Sequence, residues 1–202
     1  GESGTRNSAG ALITRVGEDG AETVFTYNTS LGVYRSTDGD GAHDTLSFNT
    51  GTGQWTYTDG SNRDTETYNN AGQLTGVADR DGIVTTYTYS GNLITQISQT
   101  GSTNIVQTLY LDYNASNQLT QVRALNNGVT QTRVRYSYDT SNRLSQVSVD
   151  LSPTDNVTAD GRVYTTTYTY DGSSTRIASI TQGDGTRMSF TYVPVGNTHK
   201  VE

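Results

Sequence analysis

An aromatic residue followed by a small polar residue returns along this chain at intervals of roughly twenty-one residues, and a repeat of that length constrains the architecture before any single residue is interpreted. The copies are Tyr27-Asn28, Phe48-Asn49, Tyr68-Asn69, Tyr89-Ser90, Tyr113-Asn114, Tyr138-Asp139 and Tyr170-Asp171, with a weaker one at Tyr192-Val193. Later copies are spread by insertions. Two residues before the aromatic stands a second large apolar group: Phe25, Leu46, Tyr87, Leu111, Tyr136, Tyr168 and Phe190, with Glu66 the exception. A period of two is that of a half-buried strand. From Tyr164 to Tyr170 the tyrosines share one face, and Thr165, Thr167 and Thr169 the other.

A few residues after the aromatic comes an aliphatic or aromatic residue, as at Val33, Trp55, Leu74, Leu93, Leu119, Leu144 and Ile177, often with Gly72, Asn92, Asn117 or Asn142 just ahead of it. Small polar residues of this kind tolerate the positive φ of tight turns. A further aliphatic follows three places on, as from Leu119 to Val122 and Leu144 to Val147. That spacing puts the two on opposite faces of a regular strand, so either a β-bulge or a leucine tucked under the turn is expected. The other end of the unit carries Asp19-Gly20, Asp40-Gly41, Asp59-Gly60, Asp81-Gly82, Asn127-Gly128, Asp160-Gly161 or Asp184-Gly185, all hairpin-turn dipeptides.

The fold class expected is all-β: an antiparallel meander of repeated hairpins, about sixteen strands, which exceeds what a twisted open sheet holds without curling. The sheet should therefore form a curved, spiralling wall, a partial β-shell. Residues 1–202 read as a single array of about eight hairpins, clearest over 17–193, and the half-repeats at its two ends read as a cut from a longer array. The candidate site is the repeat ladder itself: Tyr27, Phe48, Tyr68, Tyr87, Tyr89, Tyr113, Tyr136, Tyr138, Tyr168 and Tyr170, with Leu74, Leu93, Leu119 and Leu144 between them.

Hydrophobic residues are only 31% of the chain, which would suit disorder were they not aromatic and β-branched. The net charge of -7 disfavours nucleic acid and anionic membranes as partners. No apolar run is long enough to span a membrane as a helix, and residues 1–10 lack the apolar core of a signal peptide. With no Cys, neither disulfides nor thiolate chemistry is available.

The run Tyr136-Ser137-Tyr138-Asp139-Thr140-Ser141-Asn142-Arg143-Leu144-Ser145-Gln146-Val147 resembles the tyrosine-aspartate repeat of the rearrangement-hotspot (Rhs) family, and the stretches from Tyr87 to Ile97 and from Tyr168 to Ile180 are similar. The resemblance extends over roughly residues 10 to 193 and rests on repetition at a fixed period. In that family, which includes bacterial polymorphic toxins, the Tc toxin cocoon and the teneurin shell, such repeats build a spiralling sheet around a toxin or other polypeptide. The resemblance implies a secreted or surface wall segment whose partners are neighbouring repeats of its own chain and an enclosed polypeptide. It carries over wall residues only. The self-cleaving aspartate junction of toxin members has no match here, so no enzyme activity and no cofactor are expected.

Rival readings attach to three features. A row of tyrosines can face a core or can stack on sugar rings; the periodic Leu and Val partners favour the core, and an adhesin-type module that grips glycan or protein through an aromatic face is the alternative. Asp38, Asp40 and Asp44 have the alternate spacing that opens a calcium loop, but the late bidentate Glu is missing and Asp-Gly turns recur at this phase, so a solvated turn is favoured. His43 and His199 are far apart and no nucleophile motif surrounds a Ser, which leaves a catalytic triad without support. Unpaired terminal strands are expected to drive self-association of the isolated segment.

Overall fold

The computed structural model describes residues 1–36, 43–101, 106–126, 128–196 and 198–202. Among these residues there is no α-helix. Seventeen strands form one antiparallel sheet in which chain neighbours are sheet neighbours, and the last two form a separate hairpin. The expected all-β meander of hairpins is thus the fold. The chain divides into two compact units, Gly1–Tyr89 with Ile97–Val106, and Ser90–Gln96 with Gln107–Glu202.

Unit 1 contains β1 (Glu2–Ser3), β2 (Leu12–Val16), β3 (Glu22–Asn28), β4 (Val33–Arg35), β5 (Thr45–Asn49), β6 (Gln54–Thr58), β7 (Thr65–Tyr68), β8 (Leu74–Ala78) and nearly all of β9 (Val84–Ser90). Register places Ile13 opposite Phe25, Tyr27 opposite Tyr34, Tyr34 beside Leu46, Leu46 opposite Tyr57, and Trp55 between Phe48 and Tyr68. The period of two therefore collects the aromatic rings on one face. These rings are buried: Tyr34 is 0% exposed, Phe25 1% and Trp55 6%.

Burial on one face of a single sheet requires a cover, and unit 1 supplies it by curling. Five strand spacings separate β2 from β7, about 24 Å along a flat sheet. Yet the Arg15 guanidinium of β2 meets the Glu66 carboxylate of β7 in two hydrogen bonds, at 2.9 and 2.6 Å. Phe25 of β3 and Tyr57 of β6 likewise meet edge to face, with ring centroids 6.2 Å apart. Residues ahead of β2 close the remaining gap. The Arg6 guanidinium lies 4.4 Å from the Phe48 ring centroid, the Asn7 N–H donates to the Tyr34 hydroxyl at 2.8 Å, and Asn7 Nδ2 donates to the Phe48 carbonyl at 2.9 Å.

Strand β10 (Leu93–Thr100) pairs with β9 and with β11 (Val106–Tyr113). Unit 2 continues through β12 (Leu119–Asn126), β13 (Val129–Tyr138), β14 (Leu144–Asp150), β15 (Val163–Tyr170), β16 (Ile177–Gln182) and β17 (Arg187–Ser189), followed by the hairpin of β18 (Tyr192–Val195) and β19 (Thr198–Val201). On one face Leu111, Val122, Val134, Tyr136, Val147 and Tyr168 follow one another across the strands. All of them are half-buried, and among the described residues every fully buried apolar side chain belongs to unit 1. The other face carries hydroxyls and ion pairs, such as Thr169 with Ser179 at 2.7 Å and Arg123 with Asp112 at 2.6 and 2.8 Å.

Three Asp-Gly turns, at Gly20, Gly82 and Gly185, close on a glycine at positive φ whose N–H bonds the carbonyl three residues back, the pattern of the common three-residue hairpin loop, while Gly161 ends a longer loop that runs from Leu151 to Arg162. At Asp81-Gly82, Gly82 sits at φ +83° and donates to the Asp79 carbonyl at 3.2 Å. Asp59-Gly60 differs: the loop runs on to Asp64, its positive φ falls on Arg63, and a Cβ at Gly60 would stand 2.5 Å from the His43 Cβ. Asp40-Gly41 and Asn127 lie outside the described residues.

Candidate functional site

The ladder is built at the turn that follows each tyrosine. Asn69, Asn114 and Asp139 each turn a side-chain oxygen back onto two backbone N–H groups of the loop, Ala71 and Gln73, Ser116 and Gln118, and Ser141 and Arg143, at 2.8 to 3.0 Å. This is the Asx device that makes Asn and Asp good turn residues. The positive φ that closes each loop falls on Gly72, Asn117 and Asn142 as expected. In the intervening copy it falls on Gly91 and not on Asn92: that loop has three residues between tyrosine and leucine where the others have five, and the positive φ keeps its place two residues before the leucine.

Immediately after these turns the strand bulges. Leu74 and Thr75 together oppose Tyr68, Leu119 and Thr120 oppose Tyr113, Leu144 and Ser145 oppose Tyr138, and Ile177 and Ala178 oppose Tyr170. The bulge resolves the spacing of three between the leucine and the next aliphatic: the extra residue restores both to one face. A bulge also takes backbone groups out of the ladder, and such groups need partners when they are buried. Thr75 and Thr120 supply some, their hydroxyls donating to the carbonyls of Thr67 and Asp112 at 3.1 and 3.0 Å.

The tyrosine hydroxyls supply the rest. Tyr89 donates to the Leu74 carbonyl, Tyr113 to Ile94, Tyr138 to Leu119, Tyr170 to Leu144 and Tyr192 to Ile177, all at 2.7 to 2.8 Å. In each case the acceptor belongs to the preceding hairpin. The first two hairpins have no bulge, since Tyr27 opposes Tyr34 and Phe48 opposes Trp55 in unbroken register. Correspondingly, the second copy is a phenylalanine, and Tyr68 gives its hydroxyl to Glu66. Carbonyl stitching begins at Tyr89, the first copy that follows a bulge.

A second chain of contacts runs along the turns. The residue just before the ladder leucine matches its Asx partner in chemistry: Asn69 Nδ2 donates to Gln73 Oε1 at 2.7 Å and Asn114 Nδ2 to Gln118 Oε1 at 2.9 Å, whereas Asp139 pairs with Arg143 at 2.8 Å and Asp171 with Arg176 at 2.7 Å. The same long side chain then reaches the next turn. Gln118 Nε2 donates to the Asn142 carbonyl, and Arg143 donates to the carbonyls of Gly172 and Ser174 while its guanidinium lies 4.4 Å from the Tyr170 ring centroid.

Burial and then the hydrogen bond to Glu66 push the Tyr68 phenol up to about 12, and Tyr57 is raised further by burial and its bond to Asp44. Tyr89 and Tyr138 are raised as well, chiefly by burial. Asp112 is held below the usual carboxylate range by the Arg123 guanidinium, and Asp139 by the Arg143 backbone N–H and side chain.

Every ladder residue named from the sequence lies on the described strands, and all are half-buried, Tyr27, Phe48 and Tyr68 of unit 1 packing against the fully buried cluster there. Tyr87, Tyr136 and Tyr168 share the face of the stitching tyrosines two residues on. What sequence reasoning missed was the hydroxyl's target; the signal was present in the replacement of Tyr by Phe at the copy where Trp55 takes the place of leucine. Of the acidic run 38–44 only His43 and Asp44 are described, and Asp44 accepts from the Tyr57 hydroxyl at 2.7 Å and the Gly60 N–H at 2.9 Å. Among the described residues no group of three or more His, Cys, Asp and Glu side chains is placed to hold a metal ion.

Residues 68–103, which hold the first bulge and the first stitching tyrosine, match the family model for the RHS Repeat. No curated protein matches the chain in sequence. Three solved structures share its fold over 95% of its length: a crystal structure of TcdB2-TccC3-Cdc42, at a TM-score of 0.54 and 16% identity; TcdB2-TccC3 without its hypervariable C-terminal region, at 0.53 and 16%; and the Photorhabdus luminescens Tc holotoxin pore, at 0.51 and 17%. The chain spans 10% of the length of each of those chains. At these identities the likeness is one of fold.

Proposed function

We propose that this chain, which carries the RHS repeat and the fold of Tc toxin shell proteins, is a non-catalytic wall segment of a larger secreted or surface protein, and that the wall encloses a toxin or other polypeptide. The observation that carries the reading is the stitch between hairpins. From Tyr89 onward each repeat completes its hydrogen bonding on the one before it, so the repeat is a unit of a continuous wall and not a self-contained fold. Its side chains serve the wall: the hydroxyls of Tyr89, Tyr113, Tyr138 and Tyr170 are spent on carbonyls, and the Arg143 guanidinium on the next turn. The nearest partners are then neighbouring repeats of the same chain, and the residues assigned to the ladder act as structural groups.

Electron cryomicroscopy of the natural polypeptide in which this segment occurs tests the reading. A hollow β-shell with additional polypeptide density inside it is the expected result; a solid or extended particle with both sheet faces in solvent overturns it. For the segment alone, light scattering should show association through its terminal strands, and a strict monomer at high concentration would count against open edges.

A further inference from the structure

Unit 1 contains a cleft at the edge of the ladder, lined by one ladder residue, Tyr68. It holds about 420 Å³, within the size range of small-molecule sites, and lies between β2, β6 and the turn after β7. Its floor is apolar, formed by Ile13, Leu46, Trp55 and Tyr68, the last two directly opposite each other in the β6–β7 pairing.

The charged groups around it are already matched. Arg6 is forked onto the Glu2 carboxylate, bonded to Asn70 Oδ1 and laid over Phe48 and Trp55. Arg15 is forked onto Glu66 and lies 3.9 Å from the Tyr57 ring centroid. An anion entering the cleft would find each guanidinium neutralised, and a metal ion would have to displace an arginine from its carboxylate. One polar group on the lining has no partner among the described residues: Asn70 Nδ2, a donor. Glu2 retains acceptor capacity beside it.

A neutral lining of mixed donors and acceptors above an aromatic floor suits a ligand that is apolar on one face and hydroxylated at its rim. We infer that the cleft binds the ring of a neutral sugar, with its C–H face against Tyr68 and its hydroxyls on Asn70 and Glu2. This does not depend on the wall reading: a shell wall without a sugar site and a sugar site in a module that encloses nothing are separate experimental outcomes.

Trp55 is the single tryptophan of the chain, so its emission reports on the cleft. The full chain is titrated with the methyl glycosides of glucose, galactose and mannose, with N-acetylglucosamine, and with sodium phosphate and glycerol as controls. At least one sugar should give a saturable change, weakened about tenfold in Asn70→Ala, a variant whose thermal unfolding should match the parent. Absence of saturation by every sugar overturns the inference. So does an unchanged response in Asn70→Ala, a glycerol response equal to that of the sugars, or tighter saturation by phosphate, which would make the cleft an anion site.

Discussion

In unit 1 the sheet turns back on itself until β2 touches β7, and Tyr34, Phe25, Trp55 and Tyr57 disappear from solvent. In unit 2 the same hairpin, with the same alternation, leaves its tyrosines half-buried, and its side-chain hydrogen bonds stay within a hairpin or reach the next one. The difference follows from what stands after the turn. Where an aromatic follows (Tyr34, Trp55), the register runs on unbroken and the rings interlock; where an aliphatic follows (Leu74 at the end of unit 1, then Leu119, Leu144 and Ile177), a bulge opens and a hydroxyl mends it. One unit is held by a shared core, the other by a series of local joints.

Four experiments sharpen or break that contrast. The largest effect is expected from Tyr34→Ala, about 3–5 kcal/mol, since it empties a fully enclosed site. The half-buried Tyr136→Ala should lose only about 1–2 kcal/mol. Denaturant unfolding read by Trp55 emission for unit 1 and by hydrogen exchange for unit 2 makes the comparison, and equal losses would erase the distinction.

Alkali should come next, acting on unit 1. Tyr57 and Tyr68 have folded values above that of a free tyrosine, so their contribution to stability is whole below about pH 10 and is lost as pH rises through the folded values, about 12 for Tyr68. Tyrosinate absorbance and Trp55 emission recorded together should show the last phenols to ionise doing so as unit 1 opens. Ionisation of every phenol without loss of Trp55 burial would refute the coupling.

Tyr138→Phe should cost about 1 kcal/mol, the net worth of one hydrogen bond. Faster exchange should be confined to the amides around Leu119 and the Tyr138 turn. A loss spread over all of unit 2 would mean that the joints are not local.

The smallest effect belongs to the turn edge. Asp139→Asn or Arg143→Gln alone breaks a matched pair, whereas the two together recreate the Asn–Gln pair of the Asn114 turn. The double variant should recover about 0.5 kcal/mol relative to the sum of the singles. Strict additivity in the thermal midpoints would show the pairing to be incidental.

The hairpins could be read from sequence because their contacts are local and periodic: Tyr136 to Val147 states strand, turn and strand within twelve residues, and Asn117 and Asn142 mark their own turns. The spacing from Leu119 to Val122 left bulge and tucked leucine equally open, since both move the leucine off the regular pleat and only backbone pairing separates them. The strand count called for a curled sheet, but the place where unit 1 closes, β2 onto β7, was not legible. Arg15 and Glu66 are 51 residues apart, and no period connects them. The one trace was Glu66 itself, a charge at an inward position of the alternation that required an opposite charge somewhere on that face. The cover provided by Arg6 and Asn7 left no trace at all, because that stretch has no pattern to extend.

The stitch also has a polarity. Each hydroxyl reaches back to a carbonyl earlier in the chain, from Tyr89 to Leu74 and on to Tyr192 and Ile177. A polypeptide emerging from its N-terminus therefore never waits for an acceptor: by the time a tyrosine is made, the carbonyl it will bind has already been set by the hairpin before. Synthesis and assembly can then proceed in step, with each finished hairpin serving as the template edge for the one that follows.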